Sequence, residues 1–201
     1  MDTVSFFLVT HADLHSREVA GRDTYFDRIF GSLSDDVMRV RPGKGLNSLV
    51  WLLWHMARTE DASVNLVVTN GRQVFDDDWI RRMNAPWRVI GTGMTDDEVG
   101  ELTTRSDVAA VRAYRDAVGR RTQEVVRALR PDAWDEPVAF ADTARANAAG
   151  VFRTGWQDGV GYRGWQDQSR GARLNGGALR HNAMHMGEAI TARGLAGFGG
   201  A

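Results

Sequence analysis

The sequence contains no cysteine among its 201 residues. That excludes a disulfide scaffold, a cysteine nucleophile, a Cys-type zinc finger and a cysteine-held iron–sulfur cluster. Any thiol chemistry must use a thiol brought in by a substrate. Lysine is nearly absent too: Lys44 is the only one, so arginine supplies almost all of the 25 basic residues. With abundant alanine and glycine, this reads as the codon bias of a GC-rich bacterial genome rather than a need for arginine forks. Charge of one sign is not in excess. The net charge is −1 and the pI about 6.5, which argues against a dedicated nucleic-acid binder. Long hydrophobic runs are missing as well. The longest uncharged stretch, Gly45 to Ala57, carries Asn47, Ser48 and His55 and falls short of the roughly 20 residues that span a bilayer. Met1 to Val9 has an early acid and no basic segment, unlike a secretory signal, so a cytoplasmic protein with no membrane partner is expected.

An apolar content of 43% is enough for one core, and the length suits a single domain over residues 1–201. Strand-like alternation and internal repeats are lacking, whereas four long helical patterns are present. The first is expected from about Thr10 to Leu33, with Tyr25, Phe26, Ile29, Phe30 and Leu33 at three- and four-residue spacing. The second starts at Asn47 or Ser48, both good N-caps, and stops at Asn70-Gly71. Its apolar face is broad, which suggests burial on more than one side and makes a homodimer plausible. A short helix fits Asp77 to Met83, and Thr95 with Glu98 forms a capping box that opens another. The third long helix runs from about Asp107 to Leu129, before Pro131. Residues 132–177 read mostly as loop, either a lid or pocket wall, or an undetected partial helix around Ala141 to Ala149. The segment is rich in glycine, including Gly155, Gly159, Gly161 and Gly164, and carries Trp156, Tyr162 and Trp165. The fourth helix is expected from about Ala178 to Arg193. The fold class is therefore all-α, an antiparallel four-helix bundle with a long loop insertion before the last helix.

Of the five histidines, His11 and His15 form one pair at spacing four, and His181 and His185 another. On a helix such residues lie one turn apart on the same face, so two imidazoles can bind one cation without bending the backbone. They supply two ligands, and a third must come from another helix. His55 sits in the apolar run Trp51-Leu52-Leu53-Trp54-His55-Met56. A satisfied core histidine and a ligand are both open readings of it.

The segment Asn47 to Asp61, NSLVWLLWHMARTED, resembles the second helix of the DinB/YfiT-like family. The segment Leu179 to Ile190, LRHNAMHMGEAI, resembles that family's last helix, with its HxxxH followed by glycine. The resemblance implies a four-helix bundle of metalloenzymes whose divalent metal, often zinc or nickel, is held by one histidine of the second helix and two of the last. Carried over position by position, the ligands are His55, His181 and His185. The length between Asp132 and Gly177 departs from a compact member. The family pattern gives His11 and His15 no role. They read as surface or helix-end residues, with a part in the main pocket, or a separate metal site completed by Asp13 or Glu18, as the alternatives.

Three neutral imidazoles leave an open position on a divalent cation, the catalytic rather than the structural arrangement. Such a cation can lower the pKa of a bound water or thiol. The resemblance implies an S-transferase that joins a low-molecular-weight thiol, mycothiol-like or bacillithiol-like, to a small electrophile. A hydrolase using water, and a stress-related binding module without catalysis, are the other readings. Around the ligands, Arg58 is expected at the pocket mouth or in a salt bridge. Asp61, Glu60 and Glu188 are candidates to orient an imidazole, with Glu188 equally readable as an exposed helix charge. Trp51 and Trp54 read as core packing, or as a wall on which substrate stacks.

Overall fold

The computed structural model describes residues 1–153, 165–166 and 168–198. The described chain is helical, with one isolated β-bridge between Pro137 and Ser169 and no strand among the described residues. Helix α1 (Thr3–Asp13) is capped by Asp2, whose carboxylate accepts from the Ser5 N–H at 2.9 Å. The single helix expected from Thr10 to Leu33 does not form. After α1 the chain breaks into Arg17–Ala20, a wide turn at Asp27–Gly31 and one turn at Asp35–Met38. Gly21 ends the second piece at φ +69°, a left-handed stop that L side chains resist. The buried spacing of Phe26, Ile29 and Phe30 is real, but periodicity does not register the breaks between them.

Helix α2 (Leu49–Asp61) starts where expected. Ser48 caps it by accepting from the Trp51 N–H at 3.2 Å. It continues as a wide, five-residue-bonded turn over Ala62–Val68 and ends with Asn70 left-handed at φ 55°. Every residue from Leu49 to Val68 is buried. The breadth of this apolar face is consumed inside the chain and so does not argue for a dimer. Next come α3 (Asp77–Met83), α4 (Asp96–Arg105) with both halves of the Thr95–Glu98 capping box formed, and α5 (Val108–Ala128) capped by Asp107.

Within 132–177, α6 (Phe140–Ala148) occupies the position of the partial helix considered above. Trp165 packs edge-on against Phe152 at 5.1 Å. Gly155, Trp156, Gly159, Gly161, Tyr162 and Gly164 lie outside the described residues, and with them the expected lid. Helical backbone resumes at Arg170–Leu174, earlier than expected. It passes through a third wide turn at Asn175–Arg180 and becomes α7 (His181–Leu195).

Side-chain pairs fix the directions of the four long helices. His55 meets His181 and Asn47 meets Glu188, so α2 and α7 are antiparallel. Ser48 meets Thr103, just before α5, and Glu60 meets Thr122, so α2 and α5 run the same way. Ser16 meets Asp116 and Phe7 meets Trp134, so α1 opposes α5. The helices therefore do not reverse at each step as successive hairpins would. Residues 69–107 form a crossover long enough to carry the chain back and restart it beside the beginning of α2. One apolar core fills the space between these helices. No helix among the described residues is long and apolar enough to cross a membrane.

Candidate metal centre

His55 projects from the middle of a helix buried on all sides, and is itself 4% exposed. Its Nδ1–H donates to the carbonyl of Ile90 in the crossover, which leaves Nε2 as a bare lone pair. The indole of Trp51, one turn earlier, stacks on the ring at 4.7 Å. His181 and His185 share one face of α7 with ring centroids 4.5 Å apart, and they lie 4.8 and 4.7 Å from the His55 ring. A wide turn immediately precedes His181; such turns recur at functional sites. His185 Nδ1–H donates to Glu188 at 2.7 Å, and Glu188 also accepts from the Asn47 side-chain amide at 2.9 Å. Glu188 is thus neither free nor fully exposed: it orients an imidazole. Its hydrogen bond with His185 lowers its pKa, against the opposing effect of burial.

One ring nitrogen from each histidine lies within 4.8 Å of the others. His55 Nε2 and His181 Nε2 are 3.1 Å apart. Two nitrogen ligands of one ion at about 2.0–2.1 Å, in near-tetrahedral array, stand about 3.3 Å apart, so the spacing suits a shared cation. The protonation states suit it as well, because a ligand must be deprotonated. Burial first, then the nearby His185, depresses the pKa of His55 to about 4. Burial, His55 and His185 depress His181 further. Two of the three rings have their second nitrogen bonded to a carbonyl or carboxylate, the usual outer support of a metal ligand. His181 Nδ1 is buried without a partner.

The cluster opens on a cavity of about 410 Å3, walled by Asn47, Trp51, Thr92, Met94, Val99 and Met184. A larger apolar cavity of about 640 Å3 lies between the start of α1 and Pro131–Trp134. It holds no histidine, and its Asp2 already caps α1, so the chemistry belongs to the smaller one.

Several expected neighbours lie elsewhere. Arg58 is not at the cavity mouth. It is fully buried, donating to Gln73 and the Tyr114 hydroxyl and to the carbonyl of Arg88, because position 58 turns toward α5 and the crossover. Asp61 does not reach an imidazole. It accepts from the Val74 and Phe75 N–H groups, from Asn65 and from Tyr114, which ties the crossover to α2. Trp54 is wholly in the core, and Trp51 is the indole on the ring. His11 and His15 are not surface residues: both are completely buried, and both bond to Glu60 rather than to Asp13 or Glu18. Conversely, Ile90, Gly91 and Asn47 support the triad without a signal of that role in sequence. Gly91 is the clearest case. It adopts φ +103°, and a Cβ there would stand 2.8 Å from Trp54, 3.0 Å from Trp51 and 3.1 Å from His55 Nδ1.

A family model described as the DinB superfamily matches residues 21–189. Among solved structures, the chain is similar to the crystal structure of a conserved protein from Enterococcus faecalis, with a TM-score of 0.66 and 16% identity over 97% of each chain. At that identity the likeness shows the fold alone. No curated protein matches.

Proposed function

The chain belongs to the DinB superfamily, and from that premise we propose that it is a cytoplasmic, divalent-metal-dependent S-transferase. In this reading the four long helices are the family's bundle, and His55, His181 and His185 hold zinc or nickel. A low-molecular-weight thiol of the mycothiol type is joined to a small electrophile. The observation that carries the reading is the convergence of three imidazoles, at ligand spacing, on a cavity open to one side.

A divalent cation, when bound, supplies positive charge that favours the ionised form of a thiol or water beside it. The chain's own residues do the rest. The Ile90 carbonyl and Glu188 hold the His55 and His185 rings in one tautomer and one orientation. Trp51 covers one face of His55 and keeps water from it. Trp51, Met94, Val99 and Met184 give an apolar wall for an electrophile, and Asn47 and Thr92 give hydrogen-bonding groups at its rim. Without a cysteine in the chain, the attacking sulfur comes from the cosubstrate.

Purified protein is assayed for turnover of an aryl halide or epoxide with mycothiol, bacillithiol or glutathione, with and without added Zn2+ or Ni2+. The proposal expects turnover that needs both thiol and metal. Thiol-independent ester hydrolysis would replace it with the hydrolase reading. Binding without turnover across the panel would leave a non-catalytic module.

A further inference from the structure

The second histidine pair has found a different partner. Glu60 is completely buried, and its carboxylate collects donors from three other helices. Oε1 accepts from His11 Nε2 at 2.8 Å and from the Thr122 hydroxyl at 2.7 Å. Oε2 accepts from His15 Nε2 at 3.0 Å and from the Asn182 side-chain amide at 2.6 Å. Each oxygen has two lone pairs, so four donors saturate the group. Burial works against its ionisation, but the two imidazoles overcome this and hold its pKa well below the usual range. The guanidinium of Arg115, also buried, interacts favourably with this charge, and itself donates to Leu14 and Asn182.

His11, His15 and Glu60 are close enough to hold a cation, but two observations speak against one. The carboxylate is already saturated, and its charge is offset by Arg115. His11 Nδ1 and His15 Nδ1 have no partner. Bare Nδ1 acceptors fit rings that donate Nε2–H to Glu60. Gly119 admits the His15 ring, since a Cβ there would stand 2.5 Å from His15 Nδ1.

We propose that Glu60 is a positioning residue for the metal centre, a metal-free pin that sets the register of α7 against α2 through Asn182. This rests on the metal-binding reading above. Glu60 lies on the same helix as His55, five residues on, and Asn182 is the neighbour of His181. A slip of one residue along α7 would move His181 by about 1.5 Å and swing it by about 100°. The 3.1 Å approach to His55 would be lost. Buried polar groups that fix register are the best attested use of such costly networks. The pin joins all four long helices: α1 through His11, with His15 just beyond its end, α2 through Glu60, α5 through Thr122 and α7 through Asn182.

The test titrates Co2+ into the full chain, wild type and Asn182→Ala, beside Met38→Ala, a core truncation outside both clusters that lowers stability without removing a partner of Glu60. The pin predicts one Co2+ per chain in wild type. It also predicts about 10- to 100-fold weaker binding in Asn182→Ala, the range for lost outer support of a ligand, and less than 2-fold in Met38→Ala. Equal losses in the two variants would overturn it, leaving a merely structural network. His11→Gln/His15→Gln keeps amide donors near the Nε2 positions and should retain wild-type affinity. A second Co2+ equivalent in wild type, absent from that double variant, would overturn the pin in favour of a second metal site. If wild type takes up no Co2+, the metal reading fails, and imidazole 15N spectra of the same protein decide the pin. Nε2–H tautomers on His11 and His15 at pH 7 would support it, and Nδ1–H tautomers would overturn it.

Discussion

Replacing Gly91 by alanine probes the support of His55 from the backbone side. The residue sits at φ +103°, where an L side chain is strained, and its new methyl would stand 2.8 Å from Trp54, 3.0 Å from Trp51 and 3.1 Å from His55 Nδ1. None of the three can withdraw freely. Trp54 is fully buried, Trp51 is stacked on His55, and His55 is tied to the Ile90 carbonyl one residue away from the new side chain. Backbone strain costs about 1–3 kcal/mol, and overpacking a filled core costs about 1–3 kcal/mol more. A central value of about 4 kcal/mol corresponds to a Tm lower by about 8–16 °C for a chain of this size. Relaxation of the loop would turn the Ile90 carbonyl away from His55, and metal affinity should fall about 10- to 100-fold. Thermal unfolding of the metal-free protein and Co2+ titration measure the two effects separately. A Gly91→Ala protein with unchanged Tm and unchanged affinity would refute the claim that this loop clamps the ring.

Other outcomes follow from the same structure. Burial depresses His55 to about 4 and His15 to about 3, while the unfolded chain protonates near 6.5. Between those values the unfolded state binds more protons, so stability of the metal-free protein falls as pH drops from about 6.5 toward 4. The loss is at most about 1.4 kcal/mol per pH unit for each such histidine; a urea midpoint unchanged from pH 8 to 4.5 would contradict it. Gly119→Ala places a methyl 2.5 Å from His15 Nδ1 and should cost about 1–3 kcal/mol in urea unfolding. Stability equal to wild type would mean that the His15 ring is not packed against α5.

The parts of this molecule that sequence exposes are local ones. Ser48, Asp107 and the Thr95–Glu98 box cap the helices they open because capping depends on residues three apart. His181 and His185 share a face because spacing four on a helix allows nothing else, and the structure brings His55 to them. What stayed hidden is long-range. The burial of His11 and His15 depends on Glu60, 49 and 45 positions away, and no pattern in α1 announces it. The turn of Arg58 away from the cavity depends on Gln73, Arg88 and Tyr114. The break after Asp13 was masked because buried residues on separate short turns kept helical spacing. Gly91 shows its purpose only once the two indoles are in place.

Metal analysis by mass spectrometry of protein purified without a His tag tests most directly whether the three histidines hold one cation. About one equivalent of zinc or nickel per chain is predicted for wild type, and almost none for His55→Ala. Metal retained undiminished in His55→Ala, or a wild type that takes up none when Zn2+ or Ni2+ is supplied, would contradict it.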